Sequence, residues 1–333
     1  MKLFITNLPS FYKINLYNRI SRRVEILVVY TGEDADGRNS DFYKGEMQFP
    51  YLFLEGNKWK KALKAVRIVL SRKWKEVIVG GWNSPSYWAS VWVSPVRRNS
   101  VVVESSIFES SVKGFGARLK SLFLRRISKA YASGMPHERL VRALGFSGSV
   151  VITKGVGVFN YGIQPPFEKR LEVRRFLYVG RLIEVKNLEF LIRVFNKHPE
   201  LELDIVGFGV LEKTLKEIAR GNVHFLGAIE NKELYKYYQS SDVFVLPSLS
   251  EPWGLVVEEA LNNGVPVMLS NRVGCHEDLC ANGEGVVFEA DEKDFEKKLR
   301  IITDVERYNR MRKVVSELDF ATIEERQVEC YID

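Results

Sequence analysis

The sequence predicts an α/β protein of two domains, with a doubly wound parallel sheet in its second half. Three observations carry this. From about residue 176 onward, short apolar, β-branched runs alternate with stretches of helical periodicity, the pattern of strands covered on both faces by crossover helices. The length, 333 residues, exceeds what one hydrophobic core usually serves. The charge is also split: residues 1–165 hold 26 basic and 11 acidic side chains (+15), and the remainder 23 and 31 (−8). Such different balances suit domains with different surroundings.

In chain order, strands are expected at Leu3–Thr6, Glu25–Val29, Val77–Val79, Val101–Val103 and Val150–Ile152. Residues 31–41 form a polar loop. Two basic helices are expected, Lys58–Lys75 and Arg118–Ser128. On the first, Trp59, Leu63, Val66 and Leu70 share one face, which is expected to pack on a sheet with the cations outward. The same pattern describes an interfacial membrane helix, so contact with anionic lipid stays open. The segment Tyr161-Gly162-Ile163-Gln164-Pro165-Pro166 is the linker, stiffened by its prolines. It separates an N-terminal domain, 1–164, from a C-terminal domain, 165–316.

In the second half, strands are expected at Phe176–Val179, Leu203–Val206, Val243–Leu246 and Val265–Leu269. Between them Leu188–Phe195, Leu211–Ala219, Lys232–Tyr238 and Leu255–Leu261 carry helical spacing. Parallel sheets of this kind bind ligands at the carboxyl ends of their strands. No apolar run reaches membrane-spanning length, and Met1–Thr6 is too short for a signal peptide. Three cysteines (Cys275, Cys280, Cys330) make no disulfide framework, which fits a reducing cytoplasm. Cys275 and Cys280 around His276 offer too few ligands, at unusual spacing, for a metal site. No metal and no cofactor are therefore expected.

The densest chemistry lies in Ser250-Glu251-Pro252-Trp253-Gly254-Leu255-Val256-Val257-Glu258-Glu259-Ala260-Leu261. Glu251 precedes a turn that Pro252 and Gly254 pre-set, and a helix follows that ends at Gly264-Val265-Pro266. The first turn of a helix points unpaired N–H groups outward and attracts anions. Two carboxylates there would repel a bare phosphate. They suit a phosphate that carries polyols, whose hydroxyls donate to carboxylates. A nucleotide sugar is such a ligand. Periodicity does not separate Glu258 from Glu259; the eight-residue spacing from Glu251 favours Glu259, with Glu258 expected to be solvated or salt-bridged.

This stretch resembles the E-x7-E signature of the retaining glycosyltransferases of family 4, and the resemblance extends over residues 176–288. Tyr178-Val179-Gly180-Arg181-Leu182-Ile183-Glu184-Val185-Lys186-Asn187-Leu188 is similar to that family's G-R-L-x-x-x-K-N segment. Leu203–Gly209 is similar to its strand with a G-x-G turn, Val223–Gly227 to its next strand, and Asp242–Ser248 to the strand before the signature. The resemblance implies a GT-B fold: two Rossmann-like doubly wound domains facing a central cleft, with a final helix, 317–333, crossing back to the first domain. It implies transfer from a nucleoside diphosphate sugar with retention of configuration. The departing phosphate then helps deprotonate the acceptor hydroxyl, and no metal takes part.

Residue by residue, the resemblance places Arg181 and Lys186 on the diphosphate and Glu251 on the donor sugar. Glu259 falls on the ribose hydroxyls. Pro252, Trp253, Gly254 and Leu255 fall at the helix start beside the donor, and Gly180, Val206, Gly207 and Phe225 around the nucleotide. Many relatives have a His in the first domain beside the sugar. Here the comparable strand ends in Glu104-Ser105-Ser106, so Glu104 is expected to orient the sugar or assist the acceptor, with a strand-end cap as the competing reading. None of His137, His198, His224 and His276 sits in a catalytic motif. Relatives also place glycines after the first strand, where this chain has Asn7-Leu8-Pro9-Ser10. Trp82 and Asn83, following another strand, are assigned to the acceptor, against Trp82 as core.

Many relatives act on polyprenyl-diphosphate carriers, so the expected acceptor is a glycan or lipid-linked glycan. The expected location is the cytoplasm, peripheral at the inner face of the cell membrane through the basic first domain. The rival functions are a nucleotide-sugar epimerase of the same architecture and a non-catalytic nucleotide-sugar-binding subunit. Nucleic acid is not expected as a partner, since no binding motif accompanies the positive charge.

Overall fold

The computed structural model describes every residue except 33–39, 44, 160–163 and 333, so most of the polar loop and part of the linker lie outside the described residues. The chain forms two compact units, Met1–Phe159 with Ala321–Asp333, and Asn160–Phe320. Each unit is a parallel α/β sandwich of Rossmann type.

The first unit runs β1 (Lys2–Thr6), α1 (Phe11–Ser21), β2 (Ile26–Tyr30), β3 (Tyr51–Phe53), α2 (Lys58–Leu70), β4 (Glu76–Val79), α3 (Pro85–Val93), β5 (Asn99–Val103), α4 (Gly114–Leu124), β6 (Lys129–Ala132), α5 (Met135–Ala143) and β7 (Ser149–Ile152). Its sheet order is β3-β2-β1-β4-β5-β6-β7, all parallel. One core lies under α2, α3, α4 and α5, with Ala65, Val69, Tyr87, Val91, Phe123 and Leu140 on the sheet. The other holds Ile14, Tyr17 and Ile20 of α1 against Phe4 and Val28.

The α2 segment departs from expectation in two ways. The helix stops at Leu70, short of Lys75, and Trp74 is buried beyond it. Its packed face is Ala62, Ala65 and Val69, whereas Trp59, Leu63 and Leu70 are exposed. Both sets share helical spacing, and the smaller residues allow the closer approach that α2 makes to its neighbours. Strand β6 and helices α1, α3 and α5 go beyond the elements expected from the sequence.

The second unit runs β8 (Arg175–Val179), α6 (Leu188–Phe195), β9 (Glu202–Val206), α7 (Glu212–Ile218), β10 (Val223–Gly227), α8 (Leu234–Ser240), β11 (Val243–Leu246), α9 (Leu255–Asn262), β12 (Val267–Ser270), α10 (His276–Leu279), β13 (Gly285–Phe288), α11 (Glu292–Thr303) and α12 (Val305–Ser316). Its order, β10-β9-β8-β11-β12-β13, reverses direction between β8 and β11. The connections after these two strands therefore leave toward opposite faces and open a crevice, the place where such sheets bind ligands.

A last helix, α13 (Phe320–Glu329), follows, and the residues from Ala321 on belong to the first unit. Tyr331 stacks on Tyr131 at 4.5 Å, its carbonyl accepts from the buried Lys2 Nζ at 2.7 Å, and Glu324 pairs with Arg19 at 3.1 Å. Among the described residues no helix is long and apolar enough to cross a membrane.

Candidate active site

The loops after β8, β9 and β11 build the crevice. After β8, Gly180 N–H donates to the Val206 carbonyl (3.0 Å), Leu182 N–H to Phe208 (2.9 Å) and Gly207 N–H to Gly227 (2.8 Å), so three strand ends are tied together. Gly207, in the left-handed region at φ 134°, sits so close to the first loop that an added Cβ would lie 1.8 Å from the Gly180 carbonyl oxygen. Val206 is itself buried and meets this region through its backbone. The chain then makes one tight turn at Glu184–Lys186, and Asn187 takes a left-handed conformation (φ 56°) to start α6.

That turn docks on the segment after β11: Leu249 N–H donates to the Val185 carbonyl (2.9 Å), and Asn187 Nδ2 to Pro247 (3.3 Å). The signature loop is held from its other side by the loop after β12. Glu251 N–H donates to Arg272 (3.1 Å), Gly274 N–H to Glu251 (2.8 Å) and Cys275 N–H to Trp253 (3.0 Å). Strapped between two neighbours, Glu251 has its backbone fixed by the fold. Its carboxylate forms an ion pair with Lys186 Nζ, and both side chains are largely buried.

Tyr178, which sequence reasoning passed over, lies beneath them. Its hydroxyl donates to the Arg181 carbonyl at 2.9 Å and fills the space below Gly180. Burial holds this hydroxyl well above its ordinary pKa; the charge of Glu251 pushes the same way, and Arg181 works against both. Arg181, Glu251 and Tyr178 therefore share one electrostatic neighbourhood. The Arg181 side chain is exposed, where a ligand can reach it.

Gly254 caps α9 in the left-handed region (φ 102°), with Val273 Cγ1 3.1 Å from where a Cβ would stand. A side chain there would meet both strain and crowding. The opening turn of α9 presents the N–H groups of Leu255 and its successors beside Glu251. Glu259 lies on the second turn and accepts from the Tyr238 hydroxyl of α8 at 2.9 Å. Burial first, then Glu259, raises the Tyr238 hydroxyl well above its usual range, so it stays a donor. The sequence places Tyr238 at the end of a helical segment, and only its contact with α9 reveals its role.

Two expectations in this stretch are corrected. Glu258 is not solvated: it is 5% exposed and accepts from the Trp253 indole N–H. Trp253 is 2% exposed, so its ring stabilises the loop from inside instead of facing a ligand. The two residues make a buried donor–acceptor pair under the helix start, and that leaves Glu259 as the carboxylate on the other side of α9. Of the remaining residues, Pro252 is exposed, while Leu255 and Phe225 are half-buried, with Lys216 Nζ 5.6 Å from the Phe225 ring centre.

The first unit places its three expected residues in different surroundings. Glu104, after β5, pairs with Lys13 of α1 at 2.8 Å beside Thr6, Tyr17 and Gly80. Although burial opposes it, Glu104 raises the pKa of Lys13 above its normal value, so the two charges hold each other. Trp82 and Asn83 line a groove between α2 and α3 with Trp59, Leu63 and Trp88. Trp82 is half-buried and its carbonyl accepts from the Trp88 indole at 2.8 Å.

Cys275 is buried, and His276 Nδ1 lies 2.7 Å from the Val273 carbonyl. Among the described residues no group of three or more His, Cys, Asp and Glu side chains is placed to hold a metal ion.

Residues 163–316 match the family of glycosyl transferases group 1. The matched span is nearly the whole second unit, where the crevice lies. The O-antigen biosynthesis glycosyltransferase WbnH of Escherichia coli is 34% identical over 208 residues, 58% of this chain and 58% of that protein. The sulfoquinovosyl transferase SQD2 of Arabidopsis thaliana is 37% identical over 110 residues, 33% of this chain and 22% of that one. The chain thus spans less than two thirds of the length of these relatives. Among solved structures, the lipopolysaccharide outer core galactosyltransferase WaaB superposes with a TM-score of 0.74 at 15% identity, covering 98% of both chains. Anabaena Alr3699/HepE in complex with UDP gives 0.73 at 16%, also over 98% of both. These two likenesses establish the GT-B fold that the group 1 segment completes.

Proposed function

We propose that this chain is a retaining glycosyltransferase. It moves a sugar from a nucleoside diphosphate donor to a glycan or lipid-linked glycan at a membrane surface, in polysaccharide or glycolipid biosynthesis. The observation that supports this most is the Lys186–Glu251 pair, set in the crevice between β8 and β11 beside the opening turn of α9. Its cation suits a diphosphate and its carboxylate suits a sugar hydroxyl.

Donor binding exchanges that pair for two ligand contacts. Lys186 turns to the diphosphate, joined by Arg181 and the N–H groups of α9, and Glu251 accepts from the sugar hydroxyls. Glu259, held by Tyr238, accepts from the ribose. When the bond between the anomeric carbon and the phosphate oxygen breaks, its electrons pass to the departing diphosphate. The cations and helix amides stabilise that charge most as it develops. The acceptor oxygen attacks from the same face and its proton passes to a leaving phosphate oxygen, so configuration is retained without a metal. Glu104, already neutralised by Lys13, orients the acceptor side as a paired and not a free carboxylate.

A melting-temperature panel of UDP, GDP, ADP and TDP with their sugar derivatives tests the reading. A ligand at a hundred times its Kd adds about 2.7 kcal/mol of stability, and the strongest shift names the base. Incubation of that donor with glycan and lipid-linked acceptors then gives the transfer product, whose anomeric configuration is read by NMR. No shift with any nucleotide overturns the proposal; a shift without transfer points to a binding subunit.

A further inference from the structure

We infer that the outer face of α2, α3 and α4 is a docking surface for an anionic lipid bilayer. This specifies the membrane part of the reading above, but it stands on different residues and does not need the donor site. Trp59 and Phe115 are each 76% exposed, Leu70 64% and Leu63 53%, with Trp92 and Leu122 also above 40%. Single exposed apolar residues are ordinary, but these fall on three adjoining helices whose inner residues share one core. The helices are physically joined: Trp59 and Leu63 of α2 line one groove with Trp88 of α3, Trp88 meets Phe123 of α4 at 5.1 Å, and Lys120 of α4 lies 5.4 Å from the ring centre of Trp82, just before α3.

Charge selects the occupant. The three helices contain no Asp or Glu, while α2 carries Lys58, Lys60, Lys61, Lys64 and Arg67, and α4 carries Arg118 and Lys120. A second copy of the chain is disfavoured on this face, because it would bring two cationic surfaces together. An acidic protein surface would match the charge but not a row of protruding Trp, Leu and Phe side chains. A bilayer with anionic headgroups matches both, since cations lie at the phosphates while indole and alkyl groups enter the interface below. The groove of about 630 Å³ between α2 and α3, walled by Trp59, Leu63 and Trp88, is open to receive an acyl chain. The second unit, with its net negative charge, is repelled by the same surface, so the first unit leads.

Vesicle flotation tests this. The full chain is mixed with phosphatidylcholine vesicles, alone or with about a third phosphatidylglycerol. Binding to the anionic vesicles is expected to be at least about tenfold tighter and to fall as salt rises. Lys60→Glu with Lys64→Glu should weaken it more than about tenfold, at roughly fivefold per cation lost. Trp59→Ser with Leu63→Ser and Phe115→Ser should abolish it, and the charge variant keeps the test open if this one misfolds. Equal binding to neutral and anionic vesicles, or unchanged binding in both variants, overturns the proposal. So does a stable dimer that the Trp59→Ser variant dissociates while no vesicle is bound. Nucleotide-induced melting shifts serve as the independent readout. Vesicle binding without any nucleotide shift would sink the transferase reading alone, and a nucleotide shift without vesicle binding would sink only this surface.

Discussion

Lys186 and Glu251, 65 positions apart in the chain, form an ion pair at the carboxyl end of the second sheet, with only 13% and 15% of their side chains exposed. Neither loop could place its charge there alone. The turn at Glu184–Lys186 needs the hydrogen bond from Leu249 to Val185, and Glu251 needs its backbone bonds to Arg272 and Gly274. Replacing one partner leaves the other charge partly buried and uncompensated. Lys186→Met is expected to lower transfer by about 10²–10³-fold and to reduce the melting shift given by the free nucleoside diphosphate. Glu251→Gln should lower transfer comparably yet keep most of the shift with the free diphosphate, losing it only for the sugar derivative. Equal loss of both ligands in Glu251→Gln would place this carboxylate elsewhere than on the sugar.

Tyr238 fixes Glu259 through a hydroxyl that burial keeps protonated. Tyr238→Phe removes one hydrogen bond and is expected to cost about 1 kcal/mol of stability, read by urea denaturation. Nucleotide affinity should fall as well, because Glu259 then has to be ordered by the ligand itself. Unchanged nucleotide affinity would separate Glu259 from the ribose.

Trp253 and Glu258 form the buried pair below the start of α9. Glu258→Ala strands the indole N–H and is expected to cost about 1–3 kcal/mol. Glu258→Gln retains an acceptor and should cost less. The ordering of the two variants in chemical denaturation, with Trp fluorescence as probe, checks the pairing. A milder effect from Ala than from Gln would contradict it.

His198 lies between Glu200 (3.0 Å) and Glu296 (2.9 Å) at the end of α6. Partial burial lowers its pKa, but hydrogen bonds and charge from Glu296 and Glu200 outweigh this and leave it raised. The folded state therefore binds this proton more tightly than the unfolded chain. That stabilisation is complete below the unfolded value, about 6.5, and fades as pH rises through the higher folded value. His198→Ala should accordingly lower the melting temperature more at pH 6 than at pH 9. The same deficit at both pH values would show that the ring acts by packing and not by charge.

From sequence alone one could read the strand–helix alternation of the second half, because apolar period and Gly or Pro punctuation are local properties. The order of chemistry along the chain was equally legible: Arg181 and Lys186 follow one strand, and Glu251 and Glu259 follow another, with Gly207 between. Which side chain meets which was decided only by packing. Nothing local distinguishes Glu258 from Glu259; Trp253 buries one and Tyr238 holds the other. Lys13 gained its role from a partner distant in the chain, Glu104 after β5. The α2 face shows the same division most clearly. Trp59, Leu63 and Leu70 have the helical spacing of a core stripe, yet Ala62, Ala65 and Val69 take the inside. Periodicity says that a helix has two faces, whereas burial depends on the shape of what lies opposite, and that shape exists only in the folded chain.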